Sequence, residues 1–401
     1  GEEKYLVCNA DEGDPGAFMD RMLLESFPYR VIEGMLIAAL VVSVRKAFVY
    51  VRSEYPLAIS RLRKALNRCI EAGIFTATPL SNIEVIEGAG AFVCGEETSL
   101  LASIEGRRPT PSIRPPYPSE KGLWGAPTLV NNVETFANVP FILKDGADSF
   151  HEFGTSKSSG TKTFALAGKV RRGGLIEVPM GLSIKEIIED IGGGVEKDRK
   201  VKAVQIGGPS GGCIPATSFD LPVDYERLQE AGAIMGSGGL VVLDEFDCMV
   251  DIARYFLLFT AHESCGICTC CRLASARMLD ILSAICQGRG KKQDLDKLHE
   301  LGKLMQQGSR CGLGKTGPNP VLTTLRFFQE EYEEHIAGFC RAGVCQELTT
   351  YATITNCNGC MICSRSCPVD AIPYAPWQKM KIEQDRCIRC GACRLSCPEG
   401  A

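Results

Sequence analysis

The order of apolar and polar positions divides the chain into regions with different periods. A short apolar run at residues 5–8 predicts a strand, and GMLIAALVVSV at 34–44 predicts a buried helix leading into a strand. Between residues 160 and 248, four short apolar segments predict strands, and SIKEIIEDIGG predicts one amphipathic helix. From 273 to 309, apolar side chains recur at helical spacing in two segments, which predicts a helical hairpin.

Length and charge restrict the class of protein. With 401 residues the chain exceeds the usual size of one domain, so we expect about three or four domains. The net charge of −4 comes without any block of Lys or Arg, so we expect no nucleic-acid partner. The longest apolar run is too short for a bilayer, so we expect no membrane span.

The cysteines are unevenly distributed. Five of the 21 lie in the first 250 residues, and the other sixteen lie in the remainder with spacings typical of metal sites. Thiolates that bind metal persist in a reducing compartment, so we expect a cytoplasmic location rather than a disulfide-bonded secreted domain.

A repeat at the C-terminus indicates iron–sulfur clusters. Each half has the spacing C-x2-C-x2-C-x3-C-P, in which three thiolates converge on one cube and the fourth Cys ligates the other cube. Paired zinc knuckles are the alternative, but zinc does not need a third closely spaced Cys and a Cys-Pro in each half. We therefore predict two [4Fe–4S] clusters. One is held by Cys357, Cys360, Cys363 and Cys397, and the other by Cys387, Cys390, Cys393 and Cys367.

A third set of cysteines precedes the repeat. Cys265, Cys268 and Cys271 lie in HESCGICTCCR, and Cys311 follows in GSRCGLGKTGPNP. The predicted helical hairpin between them could return Cys311 to the other three. From the spacing alone, either a [4Fe–4S] cluster or zinc would fit, and Cys270 could compete with Cys271.

Polar loops follow the predicted elements of the N-terminal region. Asn9 begins NADEGDPGAFMDR, directly after an apolar strand, which places polar side chains at the ligand-binding edge of an α/β sheet. Glu96 and Glu97 precede a predicted helix, where carboxylates favour the N-terminus, and simple helix capping is the alternative. Asn131 and Asn132 could bind a polar ring edge, although Asn pairs more often form turns. Each motif alone is weak evidence of a cofactor site.

Taken together and in order, these loops with ESCGICTCCR and CGLGKTGPNP resemble the family of 51 kDa-type flavoprotein subunits of complex I. The same unit occurs in NAD-linked hydrogenases and formate dehydrogenases, and the likeness runs to about residue 330. The C-terminal repeat resembles bacterial two-cluster ferredoxin domains. Complex I flavoproteins lack this tail, whereas the beta subunit of NAD(P)-linked, often electron-bifurcating [FeFe] hydrogenases carries it. The family usually has Pro at the position of Cys270, so Cys270 is not expected to be a ligand.

The resemblance implies a set of cofactor residues. FMN would be held by Asn9, Asp11, Glu12, Phe92, Gly95, Glu96, Val130, Asn131, Asn132 and Thr135. The nicotinamide nucleotide would face Asp14, Glu97, Arg114 and Tyr117.

Three of the nucleotide residues depart from the family. Arg114 replaces Lys, Tyr117 replaces Phe, and Asp14 is one methylene shorter than the family's carboxylate. Because Arg adds a planar fork for phosphate, NAD and NADP both remain open. The family's Gly-rich FMN-phosphate loop would precede residue 1, so we expect this sequence to be a fragment. The segment GGPSGG at Gly207 is interpreted as a turn in another domain.

Five regions follow from these patterns and the resemblance. We expect an α/β flavin-binding domain without its N-terminal part (1–155), a β-grasp (ubiquitin-like) insert (156–248), a helical [4Fe–4S] bundle (249–332), a linker (333–350) and an α+β two-cluster ferredoxin domain (351–401). In the linker, His335, Cys340 and Cys345 have a spacing that suits zinc with a fourth, unidentified ligand. A surface His and two packed cysteines are the alternative.

We therefore expect an oxidoreductase subunit that exchanges hydride between NAD(P)(H) and FMN. Single electrons would pass through three [4Fe–4S] clusters to a hydrogen-activating partner and to ferredoxin, with electron bifurcation. The resemblance also implies a small thioredoxin-like [2Fe–2S] subunit as a partner. Because the sequence contains no hydrogen-activating cluster motif, we expect hydrogen chemistry to occur in another subunit. The alternatives are the equivalent subunit of a formate dehydrogenase or NADH–ferredoxin oxidoreductase, and a non-catalytic iron–sulfur relay without flavin.

Overall fold

The computed structural model describes residues 3–196 and 199–401. The N-terminal region is built on a four-stranded parallel sheet in the order β3-β2-β1-β4. Its elements are β1 (Tyr5–Ala10), α1 (Met19–Ser26), α2 (Pro28–Val42), β2 (Lys46–Arg52), α3 (Pro56–Glu71), β3 (Ile83–Gly88), α4 (Glu97–Ile104), β4 (Thr128–Asn132), α5 (Val133–Asp145) and α6 (Ala147–His151).

Strand β1 is buried on both faces, as parallel strands in α/β sheets usually are. Leu6, Cys8 and Ala10 pack into the core formed with α2, α3 and α5. Tyr5 and Val7 point to the opposite face, where the aromatic side chains of β2 and the apolar residues of α4 cover the sheet. The segment predicted as a helix leading into a strand is α2 followed by β2.

The insert contains a mixed five-stranded sheet in the order β6-β5-β9-β7-β8, in which β5 and β9 are parallel and the other pairs are antiparallel. Ser183 and Glu186 form a reciprocal capping box that begins the helix packed on this sheet. Its elements are β5 (Thr161–Gly168), β6 (Gly174–Pro179), α7 (Ile184–Glu186, continued by a π-helical turn at Ile187–Ile191), β7 (Val201–Ile206), β8 (Gly212–Pro215), α8 (Tyr225–Glu230) and β9 (Gly239–Asp244).

A helical bundle and a small tail complete the chain. The predicted hairpin is the packed pair α10 and α11. The bundle comprises α9 (Met249–His262), α10 (Thr269–Cys286), α11 (Gln293–Gly308), α12 (Gly312–Thr316), α13 (Asn319–Phe327) and α14 (Gln329–Ile336), and the tail contains α15 (Ile362–Arg365) and α16 (Ala392–Ser396).

The tail contacts the rest of the molecule through cations of its second half. The Arg394 guanidinium lies 4.9 Å from the ring centroid of Phe246 in the insert. Arg389 forms a 3.1 Å ion pair with Glu347 of the linker. In the described part of the chain, no helix combines the length and the apolar character needed to cross a membrane.

Close packing between α2 and α5 generates a stability prediction. A Cβ built on Gly34 would lie 1.9 Å from the backbone oxygen of Phe136, whereas one on Gly302 of α11 would lie 2.8 Å from the flexible end of Leu322. Gly34→Ala should lower the free energy of unfolding by ~2 kcal/mol, because a backbone clash outweighs the gain in helix propensity. Gly302→Ala is the matched control and should change it by less than ~1 kcal/mol. Equal melting temperatures for the two variants, measured by circular dichroism, would contradict this packing.

Candidate cofactor cavity and metal centres

A cavity of about 360 Å³ opens at the carboxyl end of β1. Three parts of the chain form its walls: the loops of the N-terminal sheet, the turns of the insert, and the segment that begins at Cys311. The lining residues are Asn9, Asp11, Glu12, Gly13, Asp14, Asp20, Phe92, Val93, Gly95, Glu96 and Asn132 from the first part, Gly207, Ser210, Ile234, Gly236 and Ser237 from the second, and Cys311, Gly312, Leu313 and Thr316 from the third.

Most of the residues predicted to hold FMN line this cavity. They are Asn9, Asp11, Glu12, Phe92, Gly95, Glu96 and Asn132. Three others do not line it. Val130 packs against the aromatic face of the sheet, Asn131 pairs with Cys8 in the β-ladder, and Thr135 is exposed on α5.

Hydrogen bonds tie the polar loops of the cavity together. The Asn9 amide donates to the Gly95 carbonyl at 2.9 Å, and the Asn9 side-chain oxygen accepts from the Asp11 N–H at 3.0 Å. The Glu96 carboxylate caps α4 by accepting from the Ser99 N–H at 3.0 Å. The capping alternative for Glu96 is therefore observed, and the same residue also lines the cavity.

Asp11 is a buried carboxyl group whose two oxygens have no hydrogen-bond partner among the described residues. Burial raises its pKa to about 7; the Arg52 charge opposes this shift, and Glu54 and Glu263 reinforce it. Buried polar groups are normally hydrogen-bonded, so an unpaired carboxyl on a cavity wall indicates a ligand with donors. The hydroxyl and imide groups of FMN are such donors, and the cavity residues fit this cofactor.

A second layer of carboxylates supports the cavity. Glu12 accepts from the N–H groups of Met19, Asp20 and Arg21 at 2.8–3.2 Å, and so caps α1. Asp20 accepts from the Asn132 amide at 2.7 Å, and burial raises its pKa well above the ordinary range, with Glu12 adding to the shift. Sequence reasoning missed Asp20, because a carboxylate early in a helix looks like an ordinary solvated residue.

The insert also contributes to the cavity. The Ser237 hydroxyl donates to the Asp14 carboxylate, and a Cβ on Gly208 would lie 2.5 Å from the same carboxylate. Asp14, which the resemblance assigns to the nicotinamide nucleotide, lines the cavity, and its carboxylate contacts the insert. The segment interpreted as a turn in another domain is the β7–β8 turn, and Gly207 and Ser210 in it are cavity residues. The sequence carried no signal for this contact between domains.

The remaining predicted nucleotide residues lie outside the cavity lining. Arg114 donates a hydrogen bond to the Glu97 carboxylate, and both side chains are partly exposed. Tyr117 is exposed in the loop that follows α4.

The third set of cysteines converges beside the cavity. Cys268 and Cys311 are the residues directly before α10 and α12, where helix N-termini favour a thiolate. The Cys271 sulfur lies 3.4 Å from the Ser264 hydroxyl, and burial raises its pKa, with Cys311, Cys268 and Cys265 adding to the shift. The donor set therefore fits an iron–sulfur cluster.

Cys270 lies apart from that group. A Cβ on Gly308 would lie 2.4 Å from the Cys270 sulfur, so this thiol packs against the end of α11. Cys271, rather than Cys270, has its sulfur near the other three cysteines.

The tail cysteines are grouped by two further cavities. One, of about 470 Å³, is lined by Cys357, Cys360, Cys363 and Cys397 together with Cys340 and Cys393, and another, of only about 10 Å³, is lined by Cys367, Cys387, Cys390 and Cys393. Backbone N–H groups of Met380 and Ala371 donate to Cys357 and Cys367 sulfurs at 3.4 and 3.2 Å. Each predicted set of four thus lines one cavity, and both sets fit [4Fe–4S] clusters.

A fourth centre joins the linker to the bundle. Cys248, His335, Cys340 and Cys345 are buried, and their ligand atoms lie within 4.8 Å of one another. His335 Nδ1 lies 2.6 Å from the Glu331 carbonyl, which orients Nε2 toward the Cys248 sulfur at 3.2 Å. The surface-His alternative is wrong, because His335 is buried. Cys248 was missed because it lies 87 residues from His335.

Comparison with known proteins follows the same division of the chain. Residues 1–141 match the Nuo51 FMN-binding domain, and residues 251–335 match the NADH-ubiquinone oxidoreductase-F iron–sulfur binding region. Residues 356–401 match the 4Fe–4S dicluster domain.

Individual relatives extend this likeness. The HndC subunit of the NADP-reducing hydrogenase of Solidesulfovibrio fructosivorans is 51% identical over 378 residues, which is 92% of this chain and 77% of HndC. The F 2 subunit of the NADH-quinone oxidoreductase of Rhizobium meliloti is 40% identical over 341 residues, covering 84% of this chain and 81% of that protein. A chain of a solved NAD⁺-reducing [NiFe]-hydrogenase is 37% identical to this chain, with a TM-score of 0.76. The match covers 83% of this chain and 56% of the hydrogenase chain.

Along this chain the FMN-binding match precedes the iron–sulfur match, and these relatives each cover more than four-fifths of its length. The chain therefore belongs to the 51 kDa-type flavoprotein family, which includes the F subunits of NADH-quinone oxidoreductases and the HndC subunit of NADP-reducing hydrogenase.

Proposed function

We propose that this chain is the NAD(P)H-oxidising flavoprotein subunit of a hydrogenase complex. One observation carries the proposal: a single cavity contains both the FMN-motif residues and Cys311, a predicted ligand of the adjacent cluster. FMN in this cavity would take hydride from NAD(P)H and release electrons one at a time. Because Cys311 lines the cavity, electrons would have only a short path from the flavin to the adjacent cluster.

The protein's own residues would position the flavin and keep other molecules from contacting it. Asn9, Asp11 and Asn132 supply polar atoms at the sheet edge. Phe92 links this edge to the bundle, because its N–H donates to the Glu263 carboxylate at 3.1 Å and its ring packs edge-on against Phe259 at 5.2 Å. A shift of α9 would therefore move the cavity wall.

The tail supports a hydrogenase assembly over a complex I assembly. The alignment with HndC covers 92% of the chain, so it reaches into residues 351–401, whereas the alignment with the F 2 subunit covers 84%. We propose a hydrogen-activating subunit, a small thioredoxin-like [2Fe–2S] subunit and ferredoxin as partners, with electron bifurcation between two outlets. The equivalent subunit of a formate dehydrogenase remains the second candidate, because the same module serves both kinds of complex.

Two structural assignments belong to this proposal. We assign the insert to the β-grasp fold, and the central, parallel pairing of its first and last strands supports this assignment. The buried group of three Cys and one His would bind zinc, with Cys248 as the fourth ligand.

The complete subunit should contain about one FMN and oxidise NAD(P)H with an artificial one-electron acceptor. Flavin absorbance and steady-state activity measure this. If protein with all clusters assembled lacks both, the chain is an iron–sulfur relay rather than an enzyme.

Asp11 should make the stability of flavin-free protein depend on pH. The folded pKa of Asp11 is about 7, whereas its ordinary value is 3.8. Between these pH values the folded protein holds a proton on Asp11 that the unfolded protein does not hold, so raising the pH favours unfolding. Stability should fall from pH 5 to pH 8, and Asp11→Asn should remove a part on the order of 2 kcal/mol. Asp145→Asn, at an exposed position, is the control, and thermal melting at the two pH values is the measurement. An unchanged pH dependence in Asp11→Asn would contradict the assignment.

Cys268→Ser should interrupt electron transfer at the first cluster. The variant should lose about four irons and slow NAD(P)H reduction of the tail clusters at least about tenfold, while the flavin-level reaction persists. Cys270→Ser is the matched control, because that sulfur packs against Gly308. Rapid-freeze EPR of the tail clusters measures the transfer, and normal reduction in Cys268→Ser would remove this cluster from the path.

Cys248→Ser should remove zinc and leave iron unchanged. Zn²⁺ carries no electrons, so the flavin-level reaction should persist while the linker becomes more sensitive to protease. Cys286→Ser is the control, since Cys286 lies near the centre but outside the group of four. Metal analysis decides the assignment: intact protein without zinc, or loss of iron from Cys248→Ser, would show that it is wrong.

A further inference from the structure

The tail exposes two large aromatic side chains next to one of its cluster sites. Tyr374 is 72% exposed and Trp377 is 87% exposed. Lys379 and Lys381 follow on the same segment and are also exposed. We call these four residues the Trp377 face.

The backbone of Trp377 is fixed against the ligand loop of that cluster. Its N–H donates to the Gly359 carbonyl at 3.1 Å, and Gly359 lies between Cys357 and Cys360. A Cβ on Gly359 would lie 2.7 Å from the Trp377 Cα, so only glycine permits this approach. Trp377 itself has a φ of 62°, which is uncommon for a bulky residue.

The left-handed backbone conformation of Trp377 is not offset by burial of its side chain. A tryptophan in the left-handed region costs conformational free energy, and an exposed indole recovers none of it by packing. Outliers of this kind concentrate at functional sites. The exposed ring is therefore more readily explained by a partner than by the stability of the tail.

The same segment reaches the predicted cluster ligand Cys357. Met380 is buried, and its N–H donates to the Cys357 sulfur at 3.4 Å. Lys379 and Lys381 flank Met380 in sequence. A protein bound to the Trp377 face would consequently lie over the loop that holds this cluster.

The charge of the face is positive and unpaired. Residues 371–382 contain no acidic side chain, and no ion pair of Lys379 or Lys381 is found in the described part of the chain. The cations of the second half are used differently, since Arg389 pairs with Glu347 and Arg394 stacks on Phe246. The Trp377 face therefore offers free positive charge, whereas the second half contacts the core.

We propose that the Trp377 face docks a small acidic one-electron carrier protein with its own iron–sulfur cluster. An aromatic centre with a charged rim is typical of protein interfaces, and free lysines would steer an acidic partner into place. This inference rests on the proposed function, which supplies electrons from NAD(P)H to the tail. A cluster held by Cys357 and its three partners would supply one electron to the oxidised cluster of the carrier, with no bond formed and no proton moved.

The test measures binding of an acidic two-[4Fe–4S] carrier protein to the complete, cluster-loaded subunit at low and at physiological ionic strength. Lys379→Glu with Lys381→Glu should weaken binding at least about tenfold at low salt and flatten the salt dependence. Trp377→Ala should weaken binding about tenfold and retain the salt dependence.

Two controls match these changes. Leu395→Ala removes another exposed apolar side chain of the tail, 83% exposed, and Lys291→Glu with Lys292→Glu reverses two exposed charges on the bundle. Both should bind the carrier within about twofold of the unmodified subunit, and all variants should keep their iron content and flavin-level activity.

Three results would overturn the proposal. The first is unchanged carrier binding in both Trp377-face variants. The second is equal weakening of carrier binding in the Lys291/Lys292 control. The third is loss of a partner subunit from the Trp377-face variants while they bind the carrier normally. Because binding is measured without NAD(P)H, it is separate from the proposed function. If cluster-loaded subunit lacks both flavin and NAD(P)H oxidation while its carrier binding still depends on this face, the proposed function fails and the docking site stands.

Discussion

The burial of carboxylates at the carboxyl end of β1 is the constraint around which the N-terminal domain is arranged. Glu12 is buried at a cost, and three N–H groups at the start of α1 offset that cost. Asp20, on the same helix, holds the amide of Asn132 at the start of α5. The sheet and two helices thus share one hydrogen-bond network, and Asp11 is the member left without a partner in the described chain. The network fixes the walls of the cavity and leaves the Asp11 carboxyl to bind a ligand that has hydrogen-bond donors.

The same edge explains why the domains are assembled as they are. Asp14 contacts Ser237 of the insert, and Phe92 contacts Glu263 of the bundle. Lys162 of β5 forms an ion pair with Glu134 of α5, which fastens the insert beside the cavity. A cofactor site that depends on three domains couples flavin binding to their relative placement. It also brings Cys311 to the cavity wall without a long loop, because α12 starts at that point.

The sequence predicted some of these features and could not predict others, for physical reasons. Close spacing makes Cys357, Cys360 and Cys363 line one cavity, so local sequence was sufficient to predict that grouping. Cys248 and His335 meet only because α9 packs on α14, and neither helix carries a signal for the other. Glu96 both caps α4 and lines the cavity, so capping does not exclude it from the candidate site. The contribution of the insert was missed because glycine-rich turns have the same sequence whether or not a second domain lies against them.

The four-ligand centre has a consequence for the electron path. It joins the residue before α9 to the linker that follows α14, and the zinc that we propose for it could not change its oxidation state. Under the proposed function, electrons would pass to the tail between clusters rather than through this centre, and a zinc ion bound here would serve to fix geometry. Arg394 on Phe246 and Arg389 on Glu347 add contacts that are individually weak at an exposed surface. A strong buried centre together with weak surface contacts would hold the linker firmly and leave the tail free to change its orientation.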